Sequence, residues 1–182
     1  HAGTMPMRMR QDALAAAAEM VLAVEHIGRA DPDLLATVGQ LYIKGGAVNT
    51  VPGQVRFTLD IRSSLDAKRH DAVKKVHAAI RSIAAARHIM AKITMGYDAP
   101  AAPCDPGLMA AFDKALSARG HRSFHLPSGA GHDGMAFIGR LPIAMLFVRS
   151  KGGVSHNPAE YSSPEDIGAA LDAMTEFVEA LA

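Results

Sequence analysis

The chain is poor in what would tie it covalently, attach it to nucleic acid or carry it through a membrane. Among its 182 residues Cys104 is the only cysteine, which excludes an internal disulfide and fits a reducing compartment. Charge of one sign is also lacking. The 19 basic and 18 acidic residues leave a net charge of +1 and are scattered rather than blocked, so the basic footprint of a nucleic-acid binder is absent and a small solute is the expected partner. Apolar runs break well short of a membrane span, and the first residues lack the basic-then-apolar pattern of a secretory signal. A cytoplasmic protein with no nucleic-acid and no membrane partner is expected. What is present is apolar bulk: 49% of residues, ten of them methionine, enough to fill the core of one ordinary domain or two small ones.

Periodicity organises this material into an α/β chain. Residues 12–26 are alanine-rich, with Leu14, Ala17, Val21 and Val24 on one helical face, and Gly28 and Pro32 end the helix. The period then changes to two. Leu41 and Ile43 alternate with polar neighbours, and after the turn-like residues 45–49 and Pro52-Gly53, Val55, Phe57, Leu59 and Ile61 keep strict alternation, so paired strands are expected. A second helix starting near Ser64, with Asp66 in its first turn, buries Val73, Val76, Ile80 and Ile83, and a short strand follows over residues 89–95. Helix, strand, strand, helix, strand is a ferredoxin-like βαββαβ layout without its opening strand.

Pro100, Pro103 and Pro106 mark a linker, giving expected domains of residues 1–98 and 99–182. The second begins with a helix carrying Leu108, Phe112, Ala115 and Arg119 on one side. A glycine-rich segment around His132 follows. Residues 142–148 form a continuous apolar run that reads as a buried strand of a helix-covered sheet. The closing helix has Ser163 at its cap, Pro164 at its first position and Asp166 three residues after the cap, then Ile167, Leu171, Met174, Val178 and Leu181 on one stripe.

Several residues carry chemistry. His156 emerges just past the apolar run, where open α/β sheets place their ligands. Its neutral imidazole suits zinc, cobalt or manganese, although a lone histidine in a Gly/Ser/Asn loop is more often a surface or capping residue, and Glu160 orients that loop, bonds the outer ring nitrogen of a histidine or is solvated. His132 has flanking glycines that let backbone amides approach a ligand, and residues 133–138 begin a helix whose positive end favours an anion; alternatively it is a turn histidine beside a capping Asp133. Alternation puts Arg56, Thr58, Asp60 and Arg62 on the face opposite Phe57 and Leu59. There the Arg62 fork either grips a carboxylate or pairs with Asp60. Asn49 is a turn residue. Ser128 lacks the Gly-x-Ser-x-Gly frame of a nucleophile elbow, and His26, His70 with His77, and His121 with His125 read as structural.

Four separated motifs give these residues a common frame: His1-Ala2-Gly3-Thr4-Met5-Pro6-Met7, Asn49-Thr50-Val51-Pro52-Gly53 through Asp60-Ile61-Arg62, Pro127-Ser128-Gly129-Ala130-Gly131-His132-Asp133, and Ser155-His156-Asn157-Pro158-Ala159-Glu160. Together they resemble the amidase, hydantoinase and carbamoylase branch of the zinc-dependent aminoacylase and carboxypeptidase superfamily, which holds N-carbamoyl-L-amino acid hydrolases, β-ureidopropionases and allantoate amidohydrolases. The resemblance implies that residues 1–98 are a lid and dimerisation domain and residues 99–182 the C-terminal αβα part of a metal-dependent catalytic domain. It implies a ureido acid substrate gripped by Asn49, Arg62 and His132, with catalytic roles for His1 and His132, and a homodimer across which His1 reaches. It also implies His156 as a ligand to Zn2+ (or Mn2+/Co2+), binuclear in the intact family, with no metal held by this chain alone. The family's remaining ligands and its general-base glutamate match nothing in these residues, so a C-terminal fragment, inactive alone, is expected. Two other readings stay open: a non-catalytic dimerisation or binding module, and an acyl-preferring aminoacylase or peptidase of the same superfamily.

Overall fold

Strict alternation in the first half of the chain builds a hairpin with one apolar face, and two helices cover that face. In a computed structural model, which describes residues 1–181, the order is α1 (Ala13–Arg29), β1 (Leu34–Ile43), β2 (Val55–Ser63) and α2 (Asp66–Ala86). The strands pair antiparallel from Leu34 opposite Ser63 to Ile43 opposite Val55, with an irregularity between Val38 and Leu41. Asp12 starts α1, its carboxylate accepting the amides of Leu14 at 2.9 Å and Ala15 at 3.0 Å, as an N-cap should.

Ala16, Met20 and Val24 of α1 meet Val76, Ile80 and Ala84 of α2 in one buried cluster, with Val38, Phe57, Leu59 and Ile61 of the hairpin packed against it. Burying a Val or Ile side chain contributes about 1.5–3 kcal/mol. Alanines let the elements approach closely. The expected faces are therefore turned slightly, leaving Leu14, Val21, Val73 and Ile83 half-buried. At the far end of α1 a Cβ on Gly28 would lie 3.1 Å from Cβ of Ala36, so glycine sets the spacing between α1 and β1.

Residues 89–95 depart from expectation. Ile89 and Ile93 pack against the cluster, but the sheet contains only β1 and β2. An extended run becomes a strand only when a neighbour completes its backbone ladder, and among the described residues none does. The chain then returns to α2: both Asp66 carboxylate oxygens accept the Ala101 amide at 3.1 Å, and Arg69 bridges Asp66 and Asp98.

The chain divides into two units, His1–Ala101 and Ala102–Ala182. In the second, α3 (Pro106–Ala118) and α4 (Pro164–Glu179) are joined by stacked rings of Phe112 and Phe177, 3.8 Å between centroids and 3° apart in plane. Ser163 and Asp166 cap α4 reciprocally, the serine hydroxyl accepting the Asp166 amide at 3.1 Å and donating to its carboxylate at 3.0 Å. The apolar stripe of α4 is on the surface of this unit. Ile167, Leu171, Met174, Val178 and Leu181 are exposed, Leu171 to 65%, while Ala173 and Phe177 are buried. Periodicity locates a stripe but not its partner, and here Phe112 draws the face of Phe177 inward, roughly a quarter turn away.

Residues 142–148 are likewise no strand in this structure. Ala144 and Leu146 pack on the phenylalanine cluster and the Ile143 carbonyl accepts the Asp105 amide at 2.7 Å, but no ladder partner exists among the described residues. No helix among those residues is long and apolar enough to cross a membrane.

The end of α2 gives a stability test. His88 sits at φ 54° while the Ile89 amide returns to the Ala84 carbonyl at 3.0 Å, a helix closure that favours glycine at the left-handed residue. His88→Gly should raise unfolding stability by about 1 kcal/mol, and His88→Val should lower it by a similar amount. Urea titration measures both; equal midpoints for the three proteins would refute the strain.

Candidate functional site

At the loop end of the hairpin three pieces of chain are stitched together by backbone bonds. The Ala2 amide donates to the Asn49 carbonyl at 2.8 Å, and the Ala13 amide to the Pro52 carbonyl at 3.0 Å. The His1 segment is therefore joined to the loop that carries Asn49. Arg10 closes it: Nε–H donates to the Met5 carbonyl at 3.1 Å and an Nη2 hydrogen to the Ala2 carbonyl. The His1 carbonyl in turn accepts the Thr4 and Met5 amides at 3.3 Å. His1, Met5, Met9, Arg10, Gln11 and Val51 line a recess of about 220 Å³. Sequence reading passed over Arg10, since nothing in its spacing reports that its guanidinium turns back on the loop.

Within this loop the His1 ring has a defined partner. Its Nδ1 accepts the Gly3 amide at 3.1 Å, and the ring itself is exposed.

Arg62 lies toward the other end of β2, opposite Leu35. At a strand rise of about 3.3 Å per residue it is roughly 23 Å from Val55, so the structure brings Asn49 to His1 and sets Arg62 apart along the hairpin. Asp60 holds the fork, accepting Nε–H at 2.9 and 3.0 Å and Nη2 at 2.6 Å. The guanidinium beside it keeps the Asp60 carboxyl below the usual carboxylate range and raises Arg62 in return. Both side chains are about half exposed, 49% and 51%, so solvent screening keeps the pair's contribution to stability under about 1 kcal/mol. Its effect is orientational.

In the second unit His132 caps a short 3-10 turn, Asp133–Phe137, its Nδ1 accepting the Gly134 amide at 3.0 Å. The chain leading there is anchored on α3, where the Asp113 carboxylate accepts the Ser123 hydroxyl and the His125 Nε2–H at 2.9 Å. These two bonds, the serine's first, hold Asp113 below the usual carboxylate range.

His156 has φ 55°, a left-handed backbone that costs a non-glycine residue about 1 kcal/mol or more. The loop enforces it. Glu160 accepts the His156 amide at 3.2 Å, Asn157 Oδ1 accepts the Ala159 amide at 2.9 Å, and the Asn157 carbonyl accepts the Glu160 amide at 2.9 Å. Glu160 thus orients the loop through its backbone. Among the described residues no three His, Cys, Asp or Glu side chains group as a metal cage. Zinc takes about four ligands, so one exposed imidazole does not make a metal centre by itself. A recess of about 320 Å³ beside it in sequence is lined by Arg149, Ser150, Lys151, Tyr161, Ser163 and Asp166, without a histidine.

Two helices over a hairpin, then a helical unit with two histidine loops, define a known class. Residues 14–180 match the model of Peptidase family M20/M25/M40, and the chain belongs to that family. It is 38% identical to an N-carbamoyl-L-amino acid amidohydrolase of Geobacillus stearothermophilus and 36% identical to an allantoate amidohydrolase of Bacillus subtilis (strain 168), each match covering 100% of this chain and 44% of the relative. A hydantoinase/carbamoylase family amidase from Burkholderia ambifaria superposes with a TM-score of 0.88 at 35% identity, over 99% of this chain and 43% of that structure. The chain thus spans less than half the length of the relatives it matches.

The stitched loop makes a direct prediction. Arg10→Ala should speed amide hydrogen exchange at Ala2 by at least about tenfold, because the clip that holds its carbonyl is gone, while Arg8→Ala should not. Exchange followed by NMR decides it; an unchanged Ala2 rate would mean that the bond to Asn49 stands without Arg10.

Proposed function

We propose that this chain is the lid and C-terminal part of an amidohydrolase that cleaves the N-carbamoyl C–N bond of N-carbamoyl amino acids or related ureido acids. Water is consumed, and a free amino acid, ammonia and carbon dioxide leave. The observation that carries the reading is likeness along the entire chain to relatives named for carbamoyl amino acids and allantoate, with all four motifs in order.

In this reading each residue does work suited to its setting. The Arg62 fork, paired with Asp60 in this structure, exchanges that carboxylate for the substrate's and binds it through paired hydrogen bonds, and Asn49 adds its side-chain amide. His132 contacts the ureido group, and His1, acting in the site of a second copy, joins it in steadying the oxyanion that forms when the carbamoyl carbon turns tetrahedral. The copies pair through the first unit, whose surface exposes Leu22 of α1 and Leu35 of β1. His156 contributes one ligand to a zinc, manganese or cobalt site that groups outside these residues complete.

The test is a hybrid enzyme in which this chain replaces the matching 44% of the Geobacillus stearothermophilus relative. With added metal it should release ammonia from an N-carbamoyl amino acid. Arg62→Lys should raise KM by about tenfold or more, since a point charge replaces a fork, and His1→Ala should lower kcat by about a hundredfold with little change in KM. A folded, metal-loaded hybrid that releases no ammonia from any ureido acid would sink the proposal, and turnover of N-acyl amino acids alone would move the chain to the acyl-preferring branch.

A further inference from the structure

The two histidines given catalytic roles lie in different units, yet each is held by the same local device. In His1-Ala2-Gly3 and in His132-Asp133-Gly134 the amide two residues on donates to the ring's Nδ1, at 3.1 Å and 3.0 Å. A backbone amide can only donate, so a neutral ring meeting it keeps the Nδ1 lone pair and carries its hydrogen on Nε2. The residue supplying the amide is glycine both times, and the space explains why. A Cβ on Gly3 would lie 3.2 Å from His1 Cε1 and 3.3 Å from Nδ1, and one on Gly134 would lie 3.2 Å from His132 Nδ1. A side chain there meets the ring and forces it to shift by a few tenths of an ångström.

We infer that Gly3 and Gly134 are positioning residues that hold His1 and His132 as Nε2–H tautomers, so that each ring presents a hydrogen-bond donor to the oxyanion. This rests on the catalytic roles proposed above and supplies what they require. A ring that steadies negative charge must offer N–H rather than a lone pair. Elsewhere the chain holds the opposite case: the Arg69 guanidinium, which has no acceptor, lies 3.0 Å from Nε2 of His70, so His70 keeps its hydrogen on Nδ1.

Long-range proton–nitrogen NMR on the 182-residue chain, labelled at histidine nitrogens and held near pH 8.5, above the ordinary histidine range, reads the tautomers directly. His1 and His132 should each show a single Nε2–H form, with His70 reversed. Gly3→Pro and Gly134→Pro, which delete the donating amide, should return each ring to the mixture of a free imidazole. Gly3→Ala and Gly134→Ala, which keep the amide but displace the ring, should do so in part. In the hybrid enzyme the two proline variants should lower kcat by about tenfold to a hundredfold with KM within about twofold. Gly96→Ala and Gly168→Ala, where an added Cβ meets nothing within 4 Å, should leave both rates and tautomers unchanged.

Mixed tautomers at His1 and His132 in the unaltered chain, or proline variants that keep both the Nε2–H form and full kcat, would overturn the inference. Should His1→Ala and His132→Ala retain full turnover while the tautomers are as stated, the assigned catalytic roles fail and the tautomer control stands apart from them.

Discussion

A hairpin of two strands has two faces, and in the first unit α1 and α2 cover only one of them. The packing of α1 and α2 across that face, through Ala16, Met20, Val24, Val76, Ile80 and Ala84, fixes nearly everything else in the first unit. It settles the register, because a slip by one residue would turn Phe57, Leu59 and Ile61 out to water and Arg56, Asp60 and Arg62 into the helices. It also determines where polar chemistry can stand. The uncovered face receives every charged side chain of β2, and it is there that Asp60 and Arg62 form their pair.

How much of this was legible in the sequence depends on whether a signal was local. Caps were: Ser163, Pro164 and Asp166 announce α4 by themselves, because a cap is satisfied within one turn of chain. The alternation of β2 was legible too, since its two faces differ so sharply. β1 was read only from Leu41 onward although it starts at Leu34, because the irregularity between Val38 and Leu41 breaks its period. Partnership was not legible. The stripe of α4 is apolar enough to be buried and the runs at 89–95 and 142–148 are apolar enough for strands, but burial needs a second surface and a strand a ladder partner, and a residue's own neighbours in sequence do not say whether either is present. The candidate site divides the same way: motifs found His1, Asn49, Arg62, His132 and His156, whereas Arg10 acts by reaching back eight residues, which no spacing rule detects.

The exposed histidine loops fit the division of labour between rigid and irregular chain. Helices and strands bond their own amides, so a free amide aimed at a side chain is a property of loops. His1, His132 and His156 are each held by such amide bonds: Gly3 and Gly134 donate to two of the rings, and the His156 amide goes to Glu160. The first two bonds act on the imidazole and decide which nitrogen carries hydrogen. The third acts on the backbone and leaves both nitrogens of His156 to be set by whatever they meet. Under the roles proposed above, that difference suits the chemistry asked of each. A donor to an oxyanion must have its hydrogen in place beforehand, while a metal ligand must offer a lone pair and takes its orientation in part from the ion.

The strain at His156 sharpens this contrast. A left-handed backbone is unfavourable for a histidine, and glycine, which stands at the left-handed residues Gly152 and Gly153 a few steps earlier, would relieve it. At 156 a histidine takes that conformation, as His88 does at the end of α2, and three hydrogen bonds across residues 156–160 hold it in place. At about 1 kcal/mol apiece they are sufficient to offset a penalty of similar size. Relief of the strain and loss of the imidazole therefore come with the same substitution. An imidazole kept at that cost fits the metal-ligand role proposed above for His156.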